Sequence, residues 1–179
     1  TIAREKGLEP LAWQIFAQDP QIMDLEEMAL PYVDPEKGIN TAKEALEGAG
    51  DIIAEDISDD AQIRAELREL FNKTGILSVR RSKEKPEEIS VYEMYYEYDE
   101  PVSKIPSHRI LAVNRGEKEG FLKVNLVVDE EKAFALISKH CVNSQSPDCL
   151  CSQFVRNAAQ DAYKRLIAPS LEREVRNGL

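Results

Sequence analysis

The sequence predicts a mainly α fold: a helix-turn-helix-like bundle followed by a helical domain with two or three short β-strands. Three observations predict it. Apolar residues recur at helical spacing over Ala42–Ile57 and again over Phe154–Ile167. Side chains able to cap helices stand ahead of several such runs. Only short runs, Ile76–Val79 and the loosely alternating Phe121–Val128, read as strands.

Taken in order, residues 2–18 read as helix with a break at Pro10, and Leu11, Trp13, Ile15 and Phe16 give it an apolar side. Asp24 with Glu27 three residues on starts a short helix to Leu30. Pro31–Asn40, with two prolines and a glycine, is a loop. Thr41-Ala42-Lys43-Glu44 is a capping box, and the helix behind it carries Ala45, Leu46, Ala49, Ile52, Ile53 and Ile57 on one side. Gly48 and Gly50 each cost that helix about 1 kcal/mol against Ala, which points to close helix contact. Ser58 or Asp59 caps the next helix, with Ile63, Leu67, Leu70 and Phe71 inward and Gly75 as its C-cap.

Beyond Gly75, Ile76–Val79 is a strand and Ser82–Glu88 a charged turn. Val91–Tyr98 holds four of the six tyrosines and reads as helix in preference to strand. Pro101–Pro106 is extended. Ser107 caps a helix ending near Gly116 or Gly120, and Asp129 caps another with Ala133, Phe134, Leu136 and Ile137. Cys141–Leu150 is a loop. The clearest amphipathic stripe follows, on a helix that Pro169 kinks or ends and that Ser170–Leu179 resumes. The division falls at residue 75, with an acidic helical bundle over 1–75 and a helical body with a small β element over 76–179.

The chain has 179 residues and a net charge of −10. Residues 1–75 carry 7 basic and 17 acidic side chains, and residues 76–179 carry 16 of each. The first part is therefore a poor phosphate binder and suits solvent or a basic protein partner. Mean hydropathy is −0.43, and no apolar run approaches the ~18 residues of a membrane span. We expect no membrane partner. The opening Thr1-Ile2-Ala3-Arg4-Glu5 lacks a signal-peptide pattern, and three cysteines suit a reducing cytoplasm. The missing leading Met and the helical close at Asn177-Gly178-Leu179 read as a piece cut from a longer protein.

Catalytic patterns are scarce. Neither His108 nor His140 has a cysteine, serine or carboxylate at a spacing that indicates a catalytic pair, and the reading is of no enzyme and no cofactor. His140-Cys141 with Cys149 and Cys151 has the wrong spacing for zinc, so no metal is expected, and the role of the three thiols stays open. Asp51, Glu55, Asp56, Asp59 and Asp60 read as a solvated acidic surface at a helix junction. Gly116-Glu117-Lys118-Glu119-Gly120 lacks the Lys-Ser/Thr of a P-loop. The densest specific polar run is Lys104–Glu119. Its Lys104, His108, Arg109 and Arg115 could grip a phosphate or an acidic partner at a helix start, and Arg80 and Arg81 are similar, beside tyrosines that could stack on bases. Alternatively these residues hold the fold together, Arg115 pairing with Glu119 and Arg109 with Glu97 or Asp99.

Five runs are similar to one family: Glu5–Ala12, Pro31–Gly38, Glu44–Glu55, Lys104–Glu119 and Ala162–Glu174. Together they resemble the Tex family of bacterial transcription accessory proteins, relatives of a histone-binding eukaryotic elongation factor. The resemblance implies a longer protein with a helical N-terminal region, an RNase-H-like domain, helix-hairpin-helix modules and a C-terminal RNA-binding domain. It sets this chain in the later part of the helical region, with a helix-turn-helix-like unit and a body supporting a central channel. Nucleic-acid binding is then expected largely from the C-terminal domain, with the transcription machinery as a further partner. The cysteines match no family motif. The reading is a non-enzymatic scaffold. Its rival is a nucleic-acid-binding module using the basic residues of the second part. If the piece is excised, the apolar stripe of helix 153–168 is expected to lie uncovered and to drive self-association.

Overall fold

The computed structural model describes residues 2–82 and 92–179. They are mostly helical, with one small antiparallel sheet. The chain forms two compact units, each drawn from separate stretches: Thr1–Ala65 with Phe134–Pro169, and Glu66–Ala133 with Ser170–Leu179.

In the first unit, α1 (Ile2–Glu5) and α2 (Glu9–Phe16) are separate helices. The break lies at Gly7, whose φ of +77° a residue with a side chain adopts only at a cost. Pro10 sits in the first turn of α2, where its missing N–H costs nothing. Leu11, Ala12 and Ile15 face the core, whereas Trp13 and Phe16 are 59% and 42% exposed, contrary to the sequence reading. Asp24 caps α3 (Leu25–Ala29) by accepting from the Glu27 N–H at 3.1 Å. Two 3-10 turns follow, at Leu30–Tyr32 and Pro35–Lys37.

The central element is α4 (Ala42–Ser58), against which α1, α2, α3 and α8 (Leu150–Asp161) all pack. Thr41 Oγ1 accepts from the Glu44 N–H at 3.1 Å. Glu44 reaches back one residue further than a standard capping box, taking the Asn40 N–H at 2.7 Å. Gly48 serves close approach, since a Cβ there would lie 2.3 Å from Leu8 Cδ1, whereas one on Gly50 would meet the Phe154 ring at an ordinary 3.4 Å. Leu8, Leu11, Ile15, Ile39, Ile52 and Ile53 seal the core.

The next helix, α5 (Ala61–Thr74), starts one residue later than expected. Asp60, not Ser58 or Asp59, caps it by accepting from the Ile63 N–H at 3.0 Å. Glu55 and Asp56 of the acidic junction pair with Arg4 at 3.4 and 2.5 Å, tying α1 to α4.

A buried polar node closes the far end of this unit, after α7 (Glu130–Cys141). Gln18, 4% exposed with φ +56°, donates to the Cys141 and Phe16 carbonyls at 2.7 and 3.0 Å. It accepts from the Asn143 N–H at 2.7 Å and the Ser152 hydroxyl at 3.1 Å. Cys149 caps α8, its Sγ accepting from the Ser152 N–H at 3.4 Å. Burial pushes the Cys141 thiol up to about 11, with nearby Asp60 adding to the shift. That thiol therefore stays protonated at neutral pH.

The helix does not end at Pro169. It widens to π geometry over Ala162–Ile167 and continues as α9 (Ala168–Gly178). Proline supplies no N–H and crowds the carbonyl four residues back, and a wider turn just before it accommodates that loss. The stripe expected to be uncovered is buried within the first unit: Val155, Ala159, Tyr163 and Ile167 are at most 3% exposed. Self-association through 153–168 therefore lacks the patch that motivated it.

The second unit is built on a three-stranded sheet, β1 (Ile76–Arg81), β2 (Glu97–Pro101) and β3 (Leu122–Val127), in the order β2-β1-β3. Tyr92–Tyr98 is not helical as expected. It forms a 3-10 turn at Glu93–Tyr95 and then enters β2, where alternate side chains can pack on one sheet face. Val91 and most of the Ser82–Glu88 turn lie outside the described residues. Val102–Lys104 is a turn instead of an extended stretch, closed by the Lys104 N–H on the Pro101 carbonyl at 3.0 Å. The helix α6 (Ser107–Lys118) packs on β3, with Pro106 in place of Ser107 at its cap position. Gly120, at φ +86°, turns the chain out of it.

Gly75 does not take the left-handed conformation of a helix C-cap. A Cβ there would lie 2.4 Å from the Phe71 carbonyl oxygen, so the position is closed to side chains by crowding. The outer edge of β3 is covered where the Leu126 N–H donates to Glu172 of α9 at 3.2 Å. The ion pairs Arg68–Glu174 and Arg176–Glu117, at 2.8 and 2.7 Å, tie α5 and α6 to α9.

Candidate nucleic-acid interface

All six basic residues singled out by the sequence lie in the second unit. Strand alternation sends consecutive side chains to opposite sheet faces. Arg80 therefore leaves the face that carries the buried Leu77 and Val79 and joins the exposed one. There it makes a two-pronged pair with Asp99 of β2 at 2.9 and 3.1 Å. That hydrogen bond and one from Ser78 hold the Asp99 carboxyl below its usual range, and Asp99 in turn raises Arg80. Arg81, one residue on, lies 5.8 Å over the ring of Tyr96.

Arg109 projects from the first turn of α6 to Tyr98, donating to its hydroxyl at 3.0 Å with the guanidinium 5.5 Å from the ring centre. The alternative reading, in which Arg109 held Glu97 or Asp99, gives way because Arg80 takes Asp99 from the other face. Glu119, the expected partner of Arg115, instead accepts from the Tyr92 hydroxyl at 2.8 Å. Burial first, and that carboxylate second, push the Tyr92 phenol up.

The tyrosines are mostly committed. Tyr92 and Tyr95 are each 5% exposed, and Tyr95 packs edge-on to Tyr98 with centroids 5.3 Å apart. Stacking of bases on Tyr92 or Tyr95 would require unpacking the unit.

A different grouping survives. His108 and Arg115 are seven residues apart on α6, two turns, and so share a side of it. Both are exposed, as are Lys118 and Leu111, the latter 69% exposed. Lys104 is also exposed, in the turn before the helix. Lys118 and Leu111, which are not among the candidate site residues, complete this face. The 108, 111, 115, 118 spacing was the signal for one helix face. No group of three His, Cys, Asp or Glu side chains among the described residues is placed to hold a metal ion. None of the described helices is long and apolar enough to cross a membrane.

A family model described as Tex central region-like matches residues 19–179. The chain belongs to the Tex family. The match agrees with the resemblance carried by the five sequence runs, and its description calls the matched segment central.

Among the Tex-like relatives, the uncharacterized protein YdcI of Bacillus subtilis is 42% identical over 180 residues, covering 100% of this chain and 25% of that protein. Protein tex of Bordetella pertussis is 40% identical over 130 residues, covering 73% of this chain and 16% of its own length. The S1 RNA-binding domain-containing protein 1 of Homo sapiens is 29% identical over 187 residues, covering 97% of this chain and 18% of that protein. The chain thus spans a quarter or less of the length of these curated relatives.

Proposed function

We propose that this chain is a non-enzymatic scaffold segment of a Tex-type transcription accessory protein, acting in the cytoplasm, whose nucleic-acid binding belongs to the full-length polypeptide. One observation carries the reading. The arginines best suited to phosphate are engaged within their own unit, Arg80 by Asp99 and Arg109 by Tyr98. A nucleic-acid phosphate would compete with the Asp99 carboxylate for Arg80, and Arg109 is held against Tyr98. The ion pairs Arg68–Glu174 and Arg176–Glu117 serve the same end, joining helices. The name of one relative, an S1 RNA-binding domain-containing protein, supports assigning RNA contact to the full-length chain.

A second reading is favoured by the exposed His108, Arg115 and Lys118 face of α6. On that reading the segment itself touches nucleic acid there. An electrophoretic shift with single-stranded RNA and with duplex DNA, at low and moderate salt, separates the two. The scaffold reading expects no shifted band with either probe. A salt-sensitive band that Arg115→Ala removes and Arg109→Ala leaves intact would establish the second, since each phosphate contact steepens the salt dependence by about one power on duplex DNA.

A further inference from the structure

Between α4 and α8, both in the first unit, lies an open groove of about 610 Å³ that none of the functional readings uses. Its floor is apolar: Leu46, the Phe154 ring and Ala158. Gly50 lies beside the Phe154 ring, which a Cβ there would meet at 3.4 Å. The rim is acidic, with Glu47 and Asp51 on one wall and Asp161 on the other.

Two cations stand near these carboxylates. Lys43 lines one end. Arg165 is held by Asp161 at 2.9 Å and lies 3.8 Å from Asp51. That leaves an excess of negative charge over an apolar floor. Asp51 shows the strain of it: burial raises its carboxyl, Arg165 offsets this in part, and Asp161, Glu55 and Glu47 raise it further.

An apolar slot under unbalanced carboxylates is complementary to a large apolar side chain flanked by positive charge. We propose that the α4–α8 groove is a docking site for a short basic and apolar segment of a partner protein, with a leucine or phenylalanine seated on Phe154 and a neighbouring lysine or arginine held by Glu47 and Asp51. Both hydrophobic burial and charge are required of the occupant. A purely cationic ligand leaves the floor wet, and a purely apolar one buries Asp51 further with only Arg165 to offset it.

The test uses isotope-labelled chain and a synthetic peptide, Lys-Lys-Leu-Phe-Lys-Lys. Two control peptides replace either the Leu-Phe pair by Ala-Ala or every Lys by Glu. Saturable amide shifts confined to 43–51 and 154–161 are expected with the first peptide, weakening about tenfold with the Ala-Ala control and vanishing with the Glu control. Glu47→Lys on the exposed rim, and Asn157→Trp, which overlays the slot, should each abolish the shifts while leaving the melting temperature in place. Equal binding of the Ala-Ala peptide, or shifts spread over the whole acidic surface, would reduce the site to general charge attraction and overturn the proposal. So would absence of binding. Loss of the peptide response in a full-length Tex-family protein that carries this segment would identify the occupant as the protein's own chain and overturn it as well.

Discussion

Gln18 shows how much a single side chain carries. It holds a left-handed backbone that costs a non-glycine residue about 1–2 kcal/mol. It does so because its amide satisfies the Cys141 carbonyl, the Asn143 N–H and the Ser152 hydroxyl together. Removing one partner of a buried hydrogen bond costs about 1–3 kcal/mol. Gln18→Ala should therefore lower stability by about 2–4 kcal/mol in chemical denaturation. Gln18→Gly should lose less, since it relieves the backbone while losing the same bonds. Equal losses in the two variants would remove the backbone from the explanation. Nothing in the sequence marked Gln18, because its partners lie over a hundred residues away.

Two aspartates should respond to pH with opposite signs. Asp51 has a carboxyl raised above 3.8 in the folded chain, so the folded state binds its proton more readily than the unfolded one. Its effect favours folding at low pH and is lost as pH rises through the folded value. Asp99 has a carboxyl lowered below 3.8 by Arg80 and Ser78, so its contribution is present above that value and lost as pH falls through the folded one. Melting curves from about pH 3 to pH 7 check both. Asp51→Asn should melt higher than the parent at pH 7, Asp99→Asn lower, and both differences should fade at pH 3. Same-sign differences at neutral pH would contradict these assignments.

At the scale of elements, the helix starts were legible and the breaks less so. Asp24 and Thr41 act as read, since a capping side chain and the backbone N–H that donates to it lie within four residues of each other. Thr41→Ala should cost about 1 kcal/mol, measured as a shift in the unfolding midpoint. An unchanged midpoint would mean that packing of α4, not its cap, sets where the helix begins. The tyrosine run was misread as helix because aromatic spacing alone suits either element. Pairing with β1 decided it, with Val79 opposite Tyr98 and Leu77 opposite Glu100. Pro169 was read as a kink or an end. The π turn that absorbs it depends on packing of Tyr163 and Ile167 in the core, a tertiary fact.

At the scale of the whole molecule, the sequence disclosed the mainly helical class, the small sheet and the family. It did not disclose the commitments of its polar groups. Charge counts flagged Arg80, Arg81 and Arg109 as candidates for phosphate, but their engagement by Asp99, Tyr96 and Tyr98 follows from strand register and helix placement. The buried stripe of α8 and the π segment was likewise legible as apolar but not as covered. Arg80, Arg81 and Arg109 are engaged within their unit, whereas Lys104, His108 and Arg115 stay exposed. The measurement bearing most directly on this is RNA affinity of a full-length Tex-family protein in which the residues matching His108, Arg115 and Lys118 are all changed to Glu, followed by anisotropy of a labelled single strand across a salt series. The account predicts an affinity and salt slope unchanged from the parent. A loss of affinity with a shallower slope would contradict it and place nucleic acid on α6.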